Sequence, residues 1–180
     1  MLLRRMLPQS GHLRIAEIGV YCGRGTAMWI VELLNSPVTF DYFAIDNFKG
    51  SADYESENLY EKTIQNLTPI LDKVNVLKMD SIEAVKRFPD GYFDVVYIDG
   101  AHDYESVKKD VNHWFPKVRE DGYIAGDDYV KGWPGVVRAV DEFLKRHSLT
   151  LIREGKQQWA AQKTNEKPAK VGFWKRVMSS

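Results

Sequence analysis

The chain lacks the features by which several protein classes are recognised. Its 25 Lys and Arg residues balance 25 Asp and Glu residues, so no overall charge attracts nucleic acid or an anionic membrane. A single cysteine, Cys22, cannot form an internal disulfide and fits a reducing compartment. No apolar run has the length of a signal peptide or a transmembrane helix. We therefore expect a cytoplasmic protein without nucleic-acid or membrane partners.

Short apolar runs rich in β-branched and aromatic residues alternate with segments of helical spacing. Strands are predicted at 14–18, 42–45, 74–79, 93–98 and 123–125, with a closing pair at 150–153 and 158–162. Helices are predicted between them at 26–34, 57–67, 82–87, 104–118 and 135–146. This alternation is typical of parallel βαβ crossovers, and the closing pair, which has no helix between its strands, predicts an antiparallel hairpin. We expect a Rossmann-like, doubly wound α/β domain over 1–163 with a mostly parallel seven-stranded sheet, followed by a basic tail over 164–180.

The loop after the first strand indicates the kind of ligand, because such sheets bind ligands beyond the carboxyl ends of their strands. Residues 17–26 read EIGVYCGRGT. A P-loop would need Gly-Lys-Ser/Thr, and the dinucleotide fingerprint would need glycine where Tyr21 and Arg24 stand. Glu17 is unfavourable beside phosphate but suits a ligand that carries an ammonium group, such as S-adenosylmethionine. The alternative is a glycine-rich turn that serves only packing.

The spacing E-x-G-x-x-x-G-x-G over 17–25 resembles motif I of the class I S-adenosylmethionine-dependent methyltransferases. Residues 97–104 (YIDGAHDY) and 124–129 (IAGDDY) resemble methyltransferase domain family 24, which is related to the catechol and macrocin O-methyltransferases. The resemblance covers about residues 12–162. It implies methylation of a small-molecule hydroxyl on a sugar, phenol or natural product. It also implies that the cofactor is bound by Glu17, Gly19, Val20, Tyr21 and Gly23.

Further cofactor contacts are expected after the second and third strands. Asp46 follows Gly19 by 27 positions and can accept hydrogen bonds from both ribose hydroxyls, with Asn47 beside the sugar. The alternative for Asp46 is a solvated aspartate in a turn. Asp80 and Ser81 follow the third strand, where the resembled family meets the adenine amine. The alternative for this pair is a cap on the following helix.

Three carboxylates are predicted to converge where the fourth and fifth strands end. Asp99 ends the fourth strand, and Asp127 and Asp128 end the fifth. Oxygen ligands suit Mg²⁺, and the metal-dependent O-methyltransferases that the chain resembles have this arrangement, although the catechol type has Asn where Asp128 stands. Asp99 would then have three roles: it would bind the metal ion, take part in catalysis and contact the cofactor. The alternative is that Asp127 and Asp128 only cap the turn before Tyr129.

His102 is the expected general base. It lies three positions after Asp99, where catechol-type enzymes place a lysine, and a histidine can deprotonate a hydroxyl near neutral pH. Ala101 stands where the macrocin pattern has an Asp, so Asp103 is the second candidate base. The resulting mechanism is in-line displacement of an activated methyl group by a deprotonated hydroxyl.

The acceptor pocket is expected to take its walls from loops, because the first strand is predicted to begin near residue 14. The candidates are the loops 48–57 and 129–134, the tail, or the second subunit of a homodimer. Tyr54, Tyr129 and Trp133 could stack on an acceptor or simply pack these loops. Two competing functions are a hydroxylase or NAD-dependent oxidoreductase on the same scaffold, and a non-catalytic S-adenosylmethionine-binding module.

Overall fold

The computed structural model describes residue 6 and residues 10–50 and 57–164. Tyr54 and the tail from residue 165 onward lie outside these described residues. Seven strands form one sheet: β1 (Gly11–Ile18), β2 (Val38–Asp46), β3 (Asn75–Lys78), β4 (Phe93–Ile98), β5 (Val118–Gly126), β6 (Ile152–Glu154) and β7 (Gln158–Gln162). The α-helices are α1 (Arg24–Leu34), α2 (Leu59–Leu67), α3 (Ser81–Ala84), α4 (Tyr104–Trp114) and α5 (Pro134–His147).

The strand order is β3-β2-β1-β4-β5-β7-β6. The first five strands pair in parallel, and β7 pairs antiparallel with both β5 and β6. The predicted fold class and the closing hairpin are therefore confirmed. β1 lies between β2 and β4, so the order in which strands are added to the sheet reverses at β1. Open α/β sheets bind their ligands at the carboxyl ends of the strands beside such a reversal.

The helix predicted over 104–118 is wrong at its end. α4 stops at Trp114, Phe115–Lys117 forms a 3₁₀ turn, and Val118 already begins β5. Proline has no amide hydrogen and clashes with the preceding turn, so Pro116 cannot continue the helix. β1, β2 and β5 are also longer than predicted, because their first residues are partly exposed and break the apolar runs.

Two apolar clusters cover the two faces of the sheet. One includes Trp114 from α4, Phe143 from α5 and Trp159 from β7, and the other includes Trp29 and Leu33 from α1. The apolar stripe of α5 that the sequence predicts is buried, because its positions recur every three or four residues. None of the helices in the described ranges combines the length and hydrophobicity needed to span a bilayer.

Candidate active site

The loop over residues 19–23, hereafter the cofactor loop, joins β1 to α1 at the reversal point of the sheet. Gly19 has φ +93°, and a Cβ there would lie 2.1 Å from the backbone oxygen of Asp99. Only glycine lets the end of β1 approach β4 this closely. The Gly19 amide donates to the Ile45 carbonyl at 2.9 Å, and the Gly23 amide donates to the Val20 carbonyl at 2.9 Å. The cofactor loop is thus held between β2 and β4 by its own backbone.

Glu17 lies beneath the cofactor loop and is 1% exposed. Its carboxylate accepts a hydrogen bond from the Thr26 hydroxyl at 2.5 Å. Burial raises the pKa of Glu17 to about 7, and the Asp46 carboxylate adds to this rise. A Cβ on Gly25 would lie 2.7 Å from Glu17 Oε1 and 4.0 Å from Asp99 Oδ2. A side chain at position 25 would therefore crowd Glu17, and glycine keeps the backbone of α1 close to the two carboxylates.

Asp46 ends β2 and binds the backbone of the cofactor loop. Its Oδ2 accepts from the Val20 and Tyr21 amides at 2.8 and 2.9 Å, and its Oδ1 accepts from the Phe48 amide at 2.7 Å. A carboxylate has about four acceptor positions, so roughly one remains for a ligand. Asp46 therefore has room for one ribose hydroxyl rather than two.

The other residues predicted to bind the cofactor already have partners within the protein. Asn47 accepts from the Lys49 amide at 2.8 Å. Asp80 caps α3 by accepting from the Ile82 amide at 2.9 Å. Because the Ser81 hydroxyl donates to Asp110, only its backbone is left for a ligand. Capping and cofactor binding are compatible for Asp80, because a carboxylate can accept several hydrogen bonds.

Asp99 and Asp127 lie next to each other at the carboxyl ends of β4 and β5. Ile98 and Gly126 are partners in the parallel register, so the residue after each occupies the sheet rim. Burial, together with the negative charges of Asp127, Glu17 and Asp128, raises the pKa of Asp99 to about 8. This rim therefore concentrates negative charge in a poorly solvated place.

His102 contacts Asp128 and not Asp99. Its Nε2 lies 2.9 Å from Asp128 Oδ2, and its ring stacks on Trp133 with 4.1 Å between ring centroids. The Nδ1 atom is buried and has no hydrogen-bond partner among the described residues. Asp99, His102, Asp127 and Asp128 all line one cleft. The predicted catalytic residues are thus brought together, with a buried ring nitrogen left over.

The three predicted metal ligands line this cleft, but they do not form a ready ligand set. In the described ranges, no group of three or more His, Cys, Asp or Glu side chains has an arrangement that could hold a metal ion. One reason is that Asp128, which has a left-handed φ of 60°, directs Oδ2 to His102. Asp103, the second candidate base, caps α4 by accepting from the Ser106 amide at 3.0 Å. These hydrogen bonds lower the pKa of Asp103, which makes it a poor base.

Asp110, a buried polar residue that the sequence analysis did not select, supports this rim. Asp110 is 9% exposed, accepts from the Ser81 hydroxyl at 2.6 Å, and has a pKa raised to about 6 by burial. The Trp114 indole donates to the same Ser81 hydroxyl at 2.8 Å. Asp110 occupies the apolar stripe of α4 with Val107, Val111 and Trp114. A charged residue within an apolar helix stripe indicates a buried polar interaction, and this pattern is visible in the sequence.

Comparison with solved structures places the fold among methyltransferases. The O-methyltransferase NovP matches with a TM-score of 0.68 and 21% identity over 91% of this chain and 75% of its own. The precorrin-6y C5,15-methyltransferase of Geobacter metallireducens matches with a TM-score of 0.65 and 17% identity, covering 91% of this chain and 86% of its own. At these identities the likeness shows the fold alone.

Sequence comparison adds one curated relative and a family. An uncharacterized protein of Sinorhizobium fredii, y4gI, is 25% identical over 107 residues, which is 58% of this chain and 12% of the relative. The chain thus spans about an eighth of that relative's length. The family model of methyltransferase domain 24 matches residues 16–129, from the buried end of β1 to the residue after Asp128. That range covers more than half of the chain and contains the cofactor loop, Asp46 and the polar residues of the cleft, so this chain belongs to methyltransferase domain family 24, within the class I S-adenosylmethionine-dependent methyltransferases.

Proposed function

We propose that this chain transfers the methyl group of S-adenosylmethionine to a hydroxyl group of a small molecule. The observation that carries this proposal is the His102–Asp128 pair: His102 lines the same cleft as Asp99, and its second ring nitrogen has no partner in the described chain. A hydroxyl needs a base before it attacks a methyl group, and a paired histidine supplies one. The similarity to the O-methyltransferase NovP agrees with oxygen as the acceptor atom.

Asp128 fixes which nitrogen of His102 acts as the base. A carboxylate only accepts hydrogen bonds, so the neutral ring places its hydrogen on Nε2 and its lone pair on Nδ1. The acceptor hydroxyl would give its proton to Nδ1, and the Asp128 carboxylate would stabilise the imidazolium that results. Stacking on Trp133 keeps the ring in this orientation.

On the cofactor side, the chain binds and orients the methyl donor. S-adenosylmethionine supplies a methyl group that its positive sulfonium has already activated. Glu17 and Asp99 lie beside Gly25 and would stabilise the amino group, and the free acceptor position of Asp46 would bind the ribose. Ile98, Val107 and Val136 line the cleft and exclude water from the reacting atoms.

We further propose that a divalent cation, most simply Mg²⁺, assists the reaction. The donor set is all oxygen, and Asp99 and Asp127 stand side by side, so an ion would have to draw the three carboxylates into a ligand set that they do not form on their own. Asp99, Asp127 and the second oxygen of Asp128 would hold the ion. Its contribution would be to lower the pKa of the acceptor hydroxyl.

The test is methyl transfer from S-adenosylmethionine, labelled on its methyl group, to a panel of phenols, sugars and natural products. We expect a methyl ether product, loss of turnover in excess chelator, and recovery with Mg²⁺. Asp127→Asn should lose the response to Mg²⁺, whereas Asp72→Asn, an exposed carboxylate in the turn before β3, should keep it. Turnover that is indifferent to chelator would remove the cation from the proposal and leave the His102 mechanism standing.

Two other outcomes would replace the proposal. Binding of NADH in preference to S-adenosylmethionine, measured by calorimetry, would favour an oxidoreductase. Tight binding of S-adenosylmethionine without transfer to any acceptor in the panel would favour a non-catalytic binding module.

A further inference from the structure

One face of α2 contacts three consecutive residues of the cofactor loop. The Thr63 hydroxyl donates to the Tyr21 carbonyl, and the Asn66 side-chain amide donates to the Cys22 carbonyl at 3.0 Å. The Leu67 side chain packs where a Cβ on Gly23 would stand, 2.9 Å away. Positions 63, 66 and 67 share one helix face because they are three and four residues apart. Successive residues of the loop thus meet successive positions of one helix face.

The loop conformation that these contacts hold is an uncommon one. Tyr21 has φ 50° and Gly23 has φ 80°, both in the left-handed region. A bulky residue such as tyrosine pays about 1 kcal/mol or more for this backbone, so it persists only where its surroundings determine it. Asp46 restrains the backbone on one side of Tyr21 by accepting from its amide at 2.9 Å. Thr63 restrains the backbone on the other side by donating to the carbonyl of the same residue.

The position of Thr63 fits a role in holding the backbone of the cofactor loop. It is 0% exposed, in a stripe with Leu59 and Leu67 that would otherwise be wholly apolar. Its hydroxyl also lies 2.7 Å from the Leu59 carbonyl, so its single hydrogen is shared between the helix and the loop. A valine would fill the same space and would make neither hydrogen bond.

We infer that α2 sets the shape of the cofactor loop, and that Thr63 and Asn66 are positioning residues that determine affinity for S-adenosylmethionine without touching it. The inference rests on the proposed binding of this cofactor by the loop. When a loop reaches its binding shape only part of the time, the apparent dissociation constant rises in inverse proportion to that fraction. Losing the hydroxyl of Thr63 removes its hydrogen bond to the Tyr21 carbonyl and lets the loop relax.

The test is calorimetric binding of S-adenosylmethionine and S-adenosylhomocysteine to the full chain and its variants. Thr63→Val should weaken both affinities about tenfold, which is the scale expected for one lost backbone hydrogen bond. Thr63→Ser should restore most of the affinity. Thr68→Val is the matched control, because the Thr68 hydroxyl also binds a carbonyl four residues earlier, at 3.1 Å from Ile64, but does not reach the loop.

Two further measurements separate positioning from general destabilisation. At saturating cofactor, Thr63→Val should keep the kcat of the wild-type chain while KM for S-adenosylmethionine rises. Asn66→Ala alters an exposed residue, so it should fold normally and still weaken binding several-fold. An affinity of Thr63→Val and Asn66→Ala equal to that of Thr68→Val would overturn the inference alone. No binding by the wild-type chain would overturn the proposed function together with it.

Discussion

The two halves of the sheet rim differ in how completely their polar groups are paired. In the cofactor half, which comprises the cofactor loop, Asp46 and α2, the loop peptides are bound on both sides by side chains. In the catalytic half, which comprises Asp99, His102, Asp127 and Asp128, carboxylates crowd together and the ring nitrogen Nδ1 is buried without a partner in the described chain. Buried polar groups without partners are uncommon in folded proteins, and they concentrate where a ligand completes the site.

This difference fits the different tasks of the two halves, which are binding of the cofactor and deprotonation of the acceptor. A cofactor shared by a whole family can be met by a preformed backbone, whose shape costs nothing to reach at the moment of binding. The acceptor chemistry requires a base that is free to take a proton and a charge that a ligand can offset. NovP and the precorrin methyltransferase share this fold although their names indicate different acceptor atoms, so the fold alone does not determine the acceptor.

The largest effect should come from the catalytic half, with His102→Gln. Glutamine removes the base and keeps much of the volume, so methyl transfer should fall by a factor of about 10² to 10⁴. Affinity for S-adenosylmethionine should stay within about twofold of wild type, because the His102 ring bonds to Asp128 and stacks on Trp133, neither of which belongs to the cofactor loop. Single-turnover transfer and calorimetry measure the two quantities.

His113→Gln is the control for this variant, because His113 is exposed on α4 and its Nδ1 bonds to the backbone carbonyl oxygen of Lys109 in its own helix, at 2.7 Å. It should transfer methyl groups at the wild-type rate. If His102→Gln transferred equally well, the free Nδ1 atom would have no catalytic meaning, and the contrast between the halves would lose its functional interpretation.

The second effect concerns Glu17, which is buried beneath the cofactor loop. Its pKa is about 7 in the folded chain against an ordinary value of 4.5, so the folded state holds this proton more tightly than the unfolded state. Stability should therefore fall as pH rises from about 4.5 to 7. Glu17→Gln keeps an acceptor for Thr26 and carries no charge. It should be more stable than wild type by about 3 kcal/mol at pH 8, with little difference at pH 4.5.

Denaturant unfolding across this pH range, on both proteins, measures the gain. Asp99 adds a decline of its own because its pKa is also raised, and part of that rise comes from the charge of Glu17. The difference between the two proteins therefore reports Glu17 together with its coupling to Asp99. Glu105→Gln, at an exposed position on α4, should follow the wild-type curve. If the free energy of unfolding changed with pH in the same way for wild type and Glu17→Gln, Glu17 would be solvated or paired with a cation in solution.

The sequence predicted the sheet well because strand and helix periodicities differ and both faces of the sheet are buried. The hairpin and the meeting of Asp99 with Asp127 followed from the same topology. The pairing of Asp128 with His102 did not, because it depends on a left-handed residue in a loop, and periodicity says nothing of loop dihedrals. Thr63 and Asp110 were missed for another reason: each interrupts an apolar helix stripe, a signal that was readable.

The smallest effect concerns Ser81, which the sequence assigns to the cofactor and the structure bonds to Asp110 and Trp114. Ser81→Ala leaves a buried carboxyl without its donor and an indole without its acceptor, and should cost about 1–2 kcal/mol of unfolding free energy. Thermal unfolding should then begin several degrees lower. Ser36→Ala, which loses one local bond to the Leu33 carbonyl, should change stability less. Because the hydroxyl is already committed, affinity for S-adenosylmethionine should hold within about twofold, and a tenfold loss with unchanged stability would move Ser81 from the fold to the binding surface.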